Sequence, residues 1–435
     1  MKVGIVELGD GLGLRAVNTI TGPHCSDIYR QLKATVRRLY EEIRAQLRDE
    51  GARNRAMVVL FGVGCGLAGG CVLGMWIARP YAPAPCMKAI VCNSFRDPDN
   101  LAICPTGPPS YRSPADVLVR VRAASLQRID RRLSFGYGRT IRRLLASGGS
   151  HEPELPLVLG RSCAGTVEAI GSRYKGSFEV GDAVWLASAW YEPGLAAEFV
   201  VVPEARLSSM PAGLEFAHAA SLPYSGSVAL QLMQAQRLTG SSCADKEILV
   251  HGANTPVGCI VTQLAVKWGA RVVATCPSQF VALVNQLGAK VIAFDSCGNI
   301  EKSNGLGKFN YIFLATHLRD TNAKFFEKLL TKGGVLVDAV EPDLASDEYG
   351  IVRRLVLAGY AGVRKAVAWV CGRQVRWDGL DLGQRTLATL ATYVEDKAIH
   401  TLGPVQIFSP SDAGAALELV ASGKPIGNTV ITFAN

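Results

Sequence analysis

The pattern of hydrophobic and polar positions divides most of the chain into three parts. Residues 87–224 hold short apolar runs separated by glycine, proline and aspartate, which is typical of β-strands joined by turns. Residues 225–397 alternate continuous β-branched runs with helix-like stretches. Runs that are apolar at every position indicate strands buried on both faces, and therefore a parallel sheet. Residues 398–435 read strand, helix, strand, and we expect them to complete the first lobe.

Ahead of these parts lies an apolar stretch, residues 56–78, which carries no charge and is bracketed by Arg55 and Arg79. A helix of this length crosses a hydrocarbon layer of about 30 Å. We therefore predict a transmembrane helix; the alternative is a buried helix of a soluble protein. Glycine recurs at every fourth position and forms one flat face that a second helix can approach closely. A homodimer is for that reason a candidate assembly.

The N-terminal tail, residues 1–55, contains a predicted basic amphipathic helix. Its apolar positions share one helical stripe, surrounded by arginine and lysine: Ile28, Leu32, Val36, Leu39, Ile43 and Leu47. Such a helix lies on a membrane surface or pairs with another helix, and the alternative is a solvated helix that leads to the anchor. Residues 79–86 contain PYAPAP, which predicts a stiff linker. A lipid bilayer is accordingly a predicted partner.

Charge and cysteine content narrow the function classes. The formal net charge of the 435-residue chain is +9, which suits a membrane-facing or mitochondrial protein as well as a nucleic-acid-binding one. Beyond residue 86 the positive charges are scattered among acids, without a basic stripe, so we predict no nucleic-acid partner. The 12 cysteines are dispersed singly and show no zinc-ligand spacing. We therefore predict no metal site and mostly buried, reduced thiols.

The sequence HGANTPVG, residues 251–258, stands between a predicted strand and a predicted helix. A strand, a glycine-bearing turn and a helix are the order of a dinucleotide site. Gly252 would make the tight turn, and Gly258 would allow close packing of the helix on the sheet. Val257 would lie at the helix start, where backbone N–H groups attract a pyrophosphate.

Several motifs carry a family resemblance over residues 87–435: VLVRVRAASLQRID, PLVLGRSCAGTVEAIGS, FEVGDAVW, AASLPYSGSVAL and GKPIGNTVITF. As a set they resemble the medium-chain dehydrogenase/reductase superfamily in its zinc-free quinone oxidoreductase branch. The resemblance implies an α/β fold, with a GroES-like β-rich catalytic lobe and a Rossmann doubly wound parallel sheet. It also implies NADPH-dependent hydride transfer to a quinone or other conjugated carbonyl, a link to coenzyme Q metabolism, and a mitochondrial location. Reticulon-type membrane proteins are a candidate partner on the same ground.

The cofactor loop departs from the family sequence Gly-Ala-Ser-Gly-Gly-Val-Gly. Asn254 replaces serine, and Thr255 and Pro256 replace two glycines. Asn254 can still offer a hydrogen bond, and proline is tolerated at a first helical position. Pro256 nevertheless removes an N–H donor and adds bulk where the pyrophosphate would approach. Two hypotheses follow: a working NADPH-dependent reductase, or a degenerate scaffold with weak or no cofactor binding that serves in interactions.

The end of the second strand bears on the choice between NADH and NADPH. An acid there would bind the ribose hydroxyls and repel a 2′-phosphate. Residues 276–279 read CPSQ and contain no acid, which favours NADPH with Ser278 as the phosphate contact. Relatives have a tyrosine where this chain has Phe294, so one hydroxyl is lost.

Two residues are candidates for catalysis. Tyr137, in SFGYG, is the candidate cleft hydroxyl for a quinone oxygen; the alternative is a loop tyrosine without a chemical role. Asp130 is the candidate proton shuttle, with a structural turn acid as the alternative. It follows Gln127 and Arg128, where relatives have Asn-Pro. Arg161 stands where zinc-dependent relatives place a histidine, and it is either a cleft cation or a salt-bridge partner.

Overall fold

The structure is a computed structural model. It describes residues 8–9, 13–14, 23–46, 66, 87–95, 101–107, 109, 111, 113–139, 142, 155–294, 306–316, 323–340, 374–375, 381–400, 405–423 and 428–433. These residues belong to two compact units, residues 1–84 and 85–435.

The first unit contains a two-stranded antiparallel pair, β1 (Leu8–Gly9) and β2 (Gly13–Leu14), and the helix α1 (Pro23–Gln46). Four large apolar residues of α1 are exposed, with 52% to 63% of their surface accessible: Leu32, Val36 and Leu39 of the predicted stripe, and Tyr40. The predicted amphipathic helix is therefore present. The predicted membrane span, residues 56–78, lies outside the described residues except for Gly66. Within the part of the chain that the structure describes, no helix combines the length and apolarity needed to cross a bilayer.

The second unit contains the predicted β-rich lobe. Its strands are β3 (Met87–Cys92), β4 (Leu101–Thr106), β5 (Val117–Leu126), β6 (Leu157–Val158), β7 (Ser162–Ile170), β8 (Ala183–Ala187), β9 (Phe199–Val202) and β10 (Ser208–Ser209). The helix α2 (Arg128–Ser134) follows β5. β17 (Gln406–Phe408) and β18 (Thr429–Thr432) join the same sheet, which runs β10-β8-β7-β5-β18-β17 with β9 also on β5. The end of the chain thus completes this lobe, with α9 (Ala413–Ser422) between the two last strands.

Alternating burial along β5 shows why this segment forms a strand. Val117, Val119 and Val121 are buried, while the residues between them are half-buried. This period of two places the valines on one face, against the core of the lobe. β5 therefore ends at Leu126 in a fixed register, and that register positions the residues that follow it at the edge of the lobe.

The second lobe of this unit contains a parallel sheet in the order β13-β12-β11-β14-β15-β16. Its strands are β11 (Glu247–His251), β12 (Arg271–Pro277), β13 (Lys290–Phe294), β14 (Phe309–Leu314), β15 (Leu330–Asp338) and β16 (Gln374–Val375). Numbered within the lobe this is 3-2-1-4-5-6, the order of a Rossmann sheet. The predicted parallel sheet is confirmed: all five strand pairings are parallel.

Helices pack on this sheet and link it to the first lobe. They are α3 (Phe216–Ser221), α4 (Pro223–Ala235), α5 (Pro256–Lys267), α6 (Val281–Asn285), α7 (Ala323–Lys328) and α8 (Gln384–Glu395). One hydrophobic cluster contains residues of both lobes, including Trp185 of β8 and Ile248 of β11. A shared core of this kind holds the two lobes as one unit, so the cleft between them has defined walls.

Candidate active site

A cleft of about 930 Å³, partly open to solvent, lies between the two lobes. Its walls are Leu126, Gln127, Arg128, Tyr224, Ser225, Asn254, Thr255, Pro256, Val257, Ala315, Thr316, Ala339, Val340, Val420, Gly423, Asn428 and Thr429. The cleft lies beyond the carboxyl ends of β11 and β14, where ligands of doubly wound sheets bind.

The turn after β11 depends on Gly252. Its φ is +86°, a left-handed conformation that side chains disfavour. A Cβ at this position would lie 2.9 Å from the Cβ of Thr316. The backbone N–H groups of Gly252 and Ala253 both donate to the carbonyl of Thr275, at 3.0 and 3.1 Å. The turn is therefore fixed against the neighbouring strand β12.

Gly258 allows α5 to approach the turn. A Cβ there would lie 2.3 Å from the carbonyl oxygen of Gly252 and 3.0 Å from the Cβ of Ala315. A backbone oxygen cannot give way as the end of a side chain can. The close helix–sheet packing predicted for Gly258 is present in the structure, and any larger residue would push the helix away from the turn.

Thr255 caps α5 with its own hydroxyl, a feature that the family comparison of the loop missed. Its Oγ1 accepts from the N–H of Gly258 at 3.1 Å and donates to the carbonyl of Gly252 at 2.8 Å. Threonine is a favoured N-cap residue, so the signal was in the sequence. Pro256 follows at the first helical position and has no N–H. A glycine loop would offer the N–H groups of positions 256 and 258 to a phosphate. In this chain the first is absent, and the second is bonded to Thr255.

Val257 and Asn254 keep donors at the cleft. Both residues line it and are half-buried. The backbone N–H of Val257 has no hydrogen-bond partner among the described residues. The loop therefore still places a backbone N–H at the start of a helix, where the dipole favours negative charge.

The predicted 2′-phosphate residue lies at the expected edge of the sheet. Ser278 is exposed and opens a 3₁₀ turn (Ser278–Phe280) directly after β12, the strand next to β11. Phe294 is the last residue of β13, and its backbone pairs with Pro277. Ser278 thus follows β12 directly and Phe294 ends the adjacent strand β13; Ser278 is not among the described residues that line the cleft.

Asp130 is fully buried and forms an ion pair with Arg161, Oδ1 to Nε 3.1 Å, where both side chains are inaccessible. The carboxylate also accepts from the N–H groups of Gln127 and Gly160, each at 2.8 Å. Burial raises the pKa of Asp130, and Arg161 and the backbone donors oppose that shift. This geometry is that of a structural ion pair. It fits the alternatives of a structural acid at Asp130 and a salt-bridge partner at Arg161. It gives no support to proton shuttling by Asp130.

Tyr137 is also not brought to the cleft. It is 3% exposed and packs edge-on against Trp190, with ring centres 5.5 Å apart. The guanidinium of Arg132 lies over the Tyr137 ring, 4.2 Å from its centre. Tyr137 is not among the cleft-lining residues. Its position fits the alternative of a packed loop tyrosine.

His251 ends β11 immediately before the turn. Its Nδ1 lies 2.8 Å from the hydroxyl of Thr275, and its ring packs on Phe326. Desolvation lowers the pKa of His251 to about 4, so the imidazole is neutral at physiological pH. It is a satisfied core histidine.

The cleft contains polar groups that were not singled out as site residues. The amide of Gln127 and the hydroxyl of Ser225 are hydrogen-bonded at 3.1–3.2 Å, and both line the cleft. Arg128, Asn428 and Thr429 line it too. The sequence offered one sign that Gln127 and Arg128 belong to a site: they directly follow a strand and replace the Asn-Pro of relatives.

Comparisons with known proteins agree with this architecture. Residues 113–212 match the model of the alcohol dehydrogenase GroES-like domain family. The human NAD(P)H oxidoreductase RTN4IP1, mitochondrial, is 32% identical over 343 residues, which are 74% of this chain and 83% of the human protein. The Caenorhabditis elegans reticulon-4-interacting protein 1, mitochondrial, is 34% identical over 192 residues, 43% of this chain and 52% of that protein. The structure of the quinone oxidoreductase from Coxiella burnetii is 24% identical, with a TM-score of 0.65, and the match covers 80% of this chain and 99% of that one.

The buried pair predicts a stability effect in place of a catalytic one. Asp130→Ala leaves the Arg161 charge unpaired, and we expect the free energy of unfolding to fall by about 3–5 kcal/mol. Arg161→Met should have a similar effect, and the double variant should lose less than the sum of both. Urea unfolding of the four proteins tests this. An Asp130→Ala protein as stable as wild type but unable to oxidise NADPH would instead make Asp130 catalytic.

Proposed function

We propose that this chain, which belongs to the family of the mitochondrial NAD(P)H oxidoreductase RTN4IP1 within the medium-chain dehydrogenase/reductases, reduces a quinone or another conjugated carbonyl with NADPH. The observation that carries the proposal is the cleft. It joins the glycine turn of a Rossmann sheet to the edge of a GroES-like lobe. That juxtaposition is what hydride transfer needs, because donor and acceptor must be held against each other.

The lining of the cleft supports an apolar acceptor. Leu126, Ala315, Ala339, Val340 and Val420 supply apolar walls. Binding sites for small molecules combine such walls with a few polar groups that fix orientation. The hydrogen-bonded amide and hydroxyl of Gln127 and Ser225 provide such groups. We propose that they orient the carbonyl oxygen of the acceptor.

The loop and the strand ends support a nicotinamide dinucleotide. The turn at Gly252 and the close approach of α5 at Gly258 place the start of that helix at the cleft. When bound, NADPH supplies the hydride. The N–H of Val257 would face the pyrophosphate, and Ser278 would contact the 2′-phosphate. No acid stands at residues 276–279 to repel that phosphate.

A second candidate function is an interaction scaffold with weak cofactor binding. The observation that favours it is the state of the loop: Pro256 lacks an N–H, and the N–H of Gly258 is bonded to Thr255. The name of the nematode relative, reticulon-4-interacting protein 1, suggests a reticulon-type partner for this chain under either function.

The relatives' names support a mitochondrial location, and the sequence adds a membrane anchor to the proposal. Residues 56–78 would hold the enzyme at a bilayer, where a quinone of coenzyme Q type dissolves. A homodimer through the glycine face of that segment is a further proposal.

The cofactor preference is testable through Ser278. NADPH should displace NADH from the full-length protein, because no acid guards the second strand. Ser278→Asp should weaken NADPH binding and leave NADH binding nearly unchanged, and Gln279→Asn is the matched control. Nicotinamide fluorescence measures both affinities. Equal affinity for the two cofactors in wild type would contradict the preference.

The loop predicts a gain of affinity on reversion. Thr255→Gly together with Pro256→Gly would free the N–H of Gly258 and restore one at position 256. Each charge-assisted hydrogen bond is worth roughly 1.5–3 kcal/mol, less the entropy of a looser loop. We expect tighter NADPH binding together with about 1 kcal/mol lower stability of the free protein from the lost cap. Weaker binding would show that the two residues preorganise the turn.

The anchor predicts resistance to extraction. Full-length protein should stay with mitochondrial membranes in alkaline carbonate, and deletion of residues 56–78 should release it. Immunoblots of the membrane and supernatant fractions measure this. Recovery of the full-length protein in the supernatant would remove the membrane part of the proposal.

A further inference from the structure

The helix α1 of the first unit presents an exposed apolar seam, formed by Leu32, Val36 and Leu39. The helix runs without a break from Pro23 to Gln46. Every residue of the stretch 30–42 is exposed, and each of the three seam residues keeps more than half of its surface accessible. Apolar side chains that are gathered on one face of a long helix and left in solvent mark a surface that another molecule covers.

The seam is narrow and follows a heptad. Leu32, Val36 and Leu39 take positions d, a and d, and by sequence count Tyr29 and Ile43 continue the register at the a positions. The three seam residues span roughly 60° of the helix circumference at 3.6 residues per turn. A helix that packs on a globular core shows a wider stripe, whereas a stripe confined to a and d is the seam of a coiled coil. The spacing therefore favours pairing with another helix.

The charges of α1 stabilise the helix and leave the seam apolar. Arg37 and Glu41 form an ion pair one turn apart, Nε to Oε1 3.7 Å, with 82% and 68% of their side chains exposed. They occupy the face opposite the seam, where such a pair supports the helix itself. The polar face is thus satisfied in water, and the seam is the part of the described helix that gains from a partner.

The residue types in the register indicate a second copy of this chain. Branched residues at a, here Val36 and Ile43, combined with leucine at d, favour two parallel strands. In a parallel pair each g residue faces the e residue of the partner's next heptad. Within the described stretch these residues are Thr35 and Tyr40, so no like charges meet beside the seam.

An anionic lipid surface fits this helix less well. Helices that lie on such a surface carry lysine and arginine on the polar face. In α1 the acids Glu41 and Glu42 share that face, and Glu42 takes a g position directly beside the seam. Anionic headgroups would repel it, whereas a second copy places Glu42 at the solvated edge of the pair.

The length of the seam also favours a second copy over a separate protein. A register of about two heptads buries less than the roughly 1,200 Å² of a stable interface, so it pairs weakly without a tether. The apolar residues 56–78 follow α1, and as the proposed anchor they would confine copies to one bilayer and raise their effective concentration. Copies anchored with the same topology also run parallel.

We propose that α1 pairs in parallel with α1 of a second copy through the seam of Leu32, Val36 and Leu39. The inference deepens the proposed homodimer and assumes no dinucleotide. It places a dimer contact in the first unit, ahead of the glycine face of residues 56–78.

Disulfide cross-linking tests the pairing in cells that express the full-length protein with two different tags. The background is Cys25→Ser, because Cys25 takes the preceding d position by sequence count. After treatment with a thiol oxidant, Leu32→Cys and Leu39→Cys should each give a dimer with both tags on non-reducing gels. Ala34→Cys, on the outer face, is the matched control and should not exceed the background. Antiparallel pairing would link at most one of the two seam positions.

A charge in the seam tests the same contact by loss. Val36→Lys places two like charges opposite each other in a parallel pair, and it should abolish the cross-link of Leu32→Cys. Ala34→Lys adds the same charge on the outer face and should leave that cross-link intact. Lysine is a good helix former, so the loss reports on pairing and not on unfolding of α1.

The outcomes separate this inference from the proposals on which it builds. No cross-link above the control at either seam position would overturn it, and a dimer still seen by sedimentation would then be assigned to the glycine face. An environment-sensitive dye on Leu32→Cys that brightens on phosphatidylserine vesicles, without cross-linking, would assign α1 to lipid and overturn it as well. NADPH oxidation by Val36→Lys at the wild-type rate would leave the proposed reductase intact in each case.

Discussion

The contact between α5 and the carbonyl of Gly252 is the constraint on which the cleft depends. A Cβ on Gly258 would lie 2.3 Å from that oxygen, so the helix reaches the turn only because position 258 lacks a side chain. Two hydrogen bonds to the carbonyl of Thr275 hold this turn in place. The start of α5 takes its position beside the turn and beside Ala315 from this packing. A wider separation would move the N–H of Val257 away from the cleft.

The same region shows how stability and anion binding compete. The hydroxyl of Thr255 satisfies a helix N–H that a phosphate would otherwise use. A capped helix start is more stable in the free protein, while a glycine loop is less stable but offers more donors. In this chain the loop is capped, and the one charge among the described cleft residues comes from the other lobe.

Much of the fold was predictable from the sequence because its signals are local. The continuous apolar runs of β11 and β14 required burial on both faces, and both strands are central in the parallel sheet. Gly252 and Gly258 were assigned to the turn and to close packing, as the structure has them. The site was less predictable because it depends on distant contacts. Nothing near Tyr137 in the sequence reveals that Trp190 covers it, and Asp130 meets Arg161 only through the fold. Arg128 was visible as an unusual residue, but its place in the cleft required the packing of two lobes.

The proposed function requires that this altered cleft transfers hydride from a nicotinamide. The absorbance at 340 nm of NADPH, mixed with the full-length protein and a short-chain quinone without oxygen, follows this transfer. We expect NADPH to be consumed in equal amount to the quinone, and we expect Gly258→Val, which displaces α5 from the turn, to abolish the reaction. Unchanged absorbance with the wild-type protein, together with no detectable NADPH binding, would contradict the proposed function and favour an interaction scaffold.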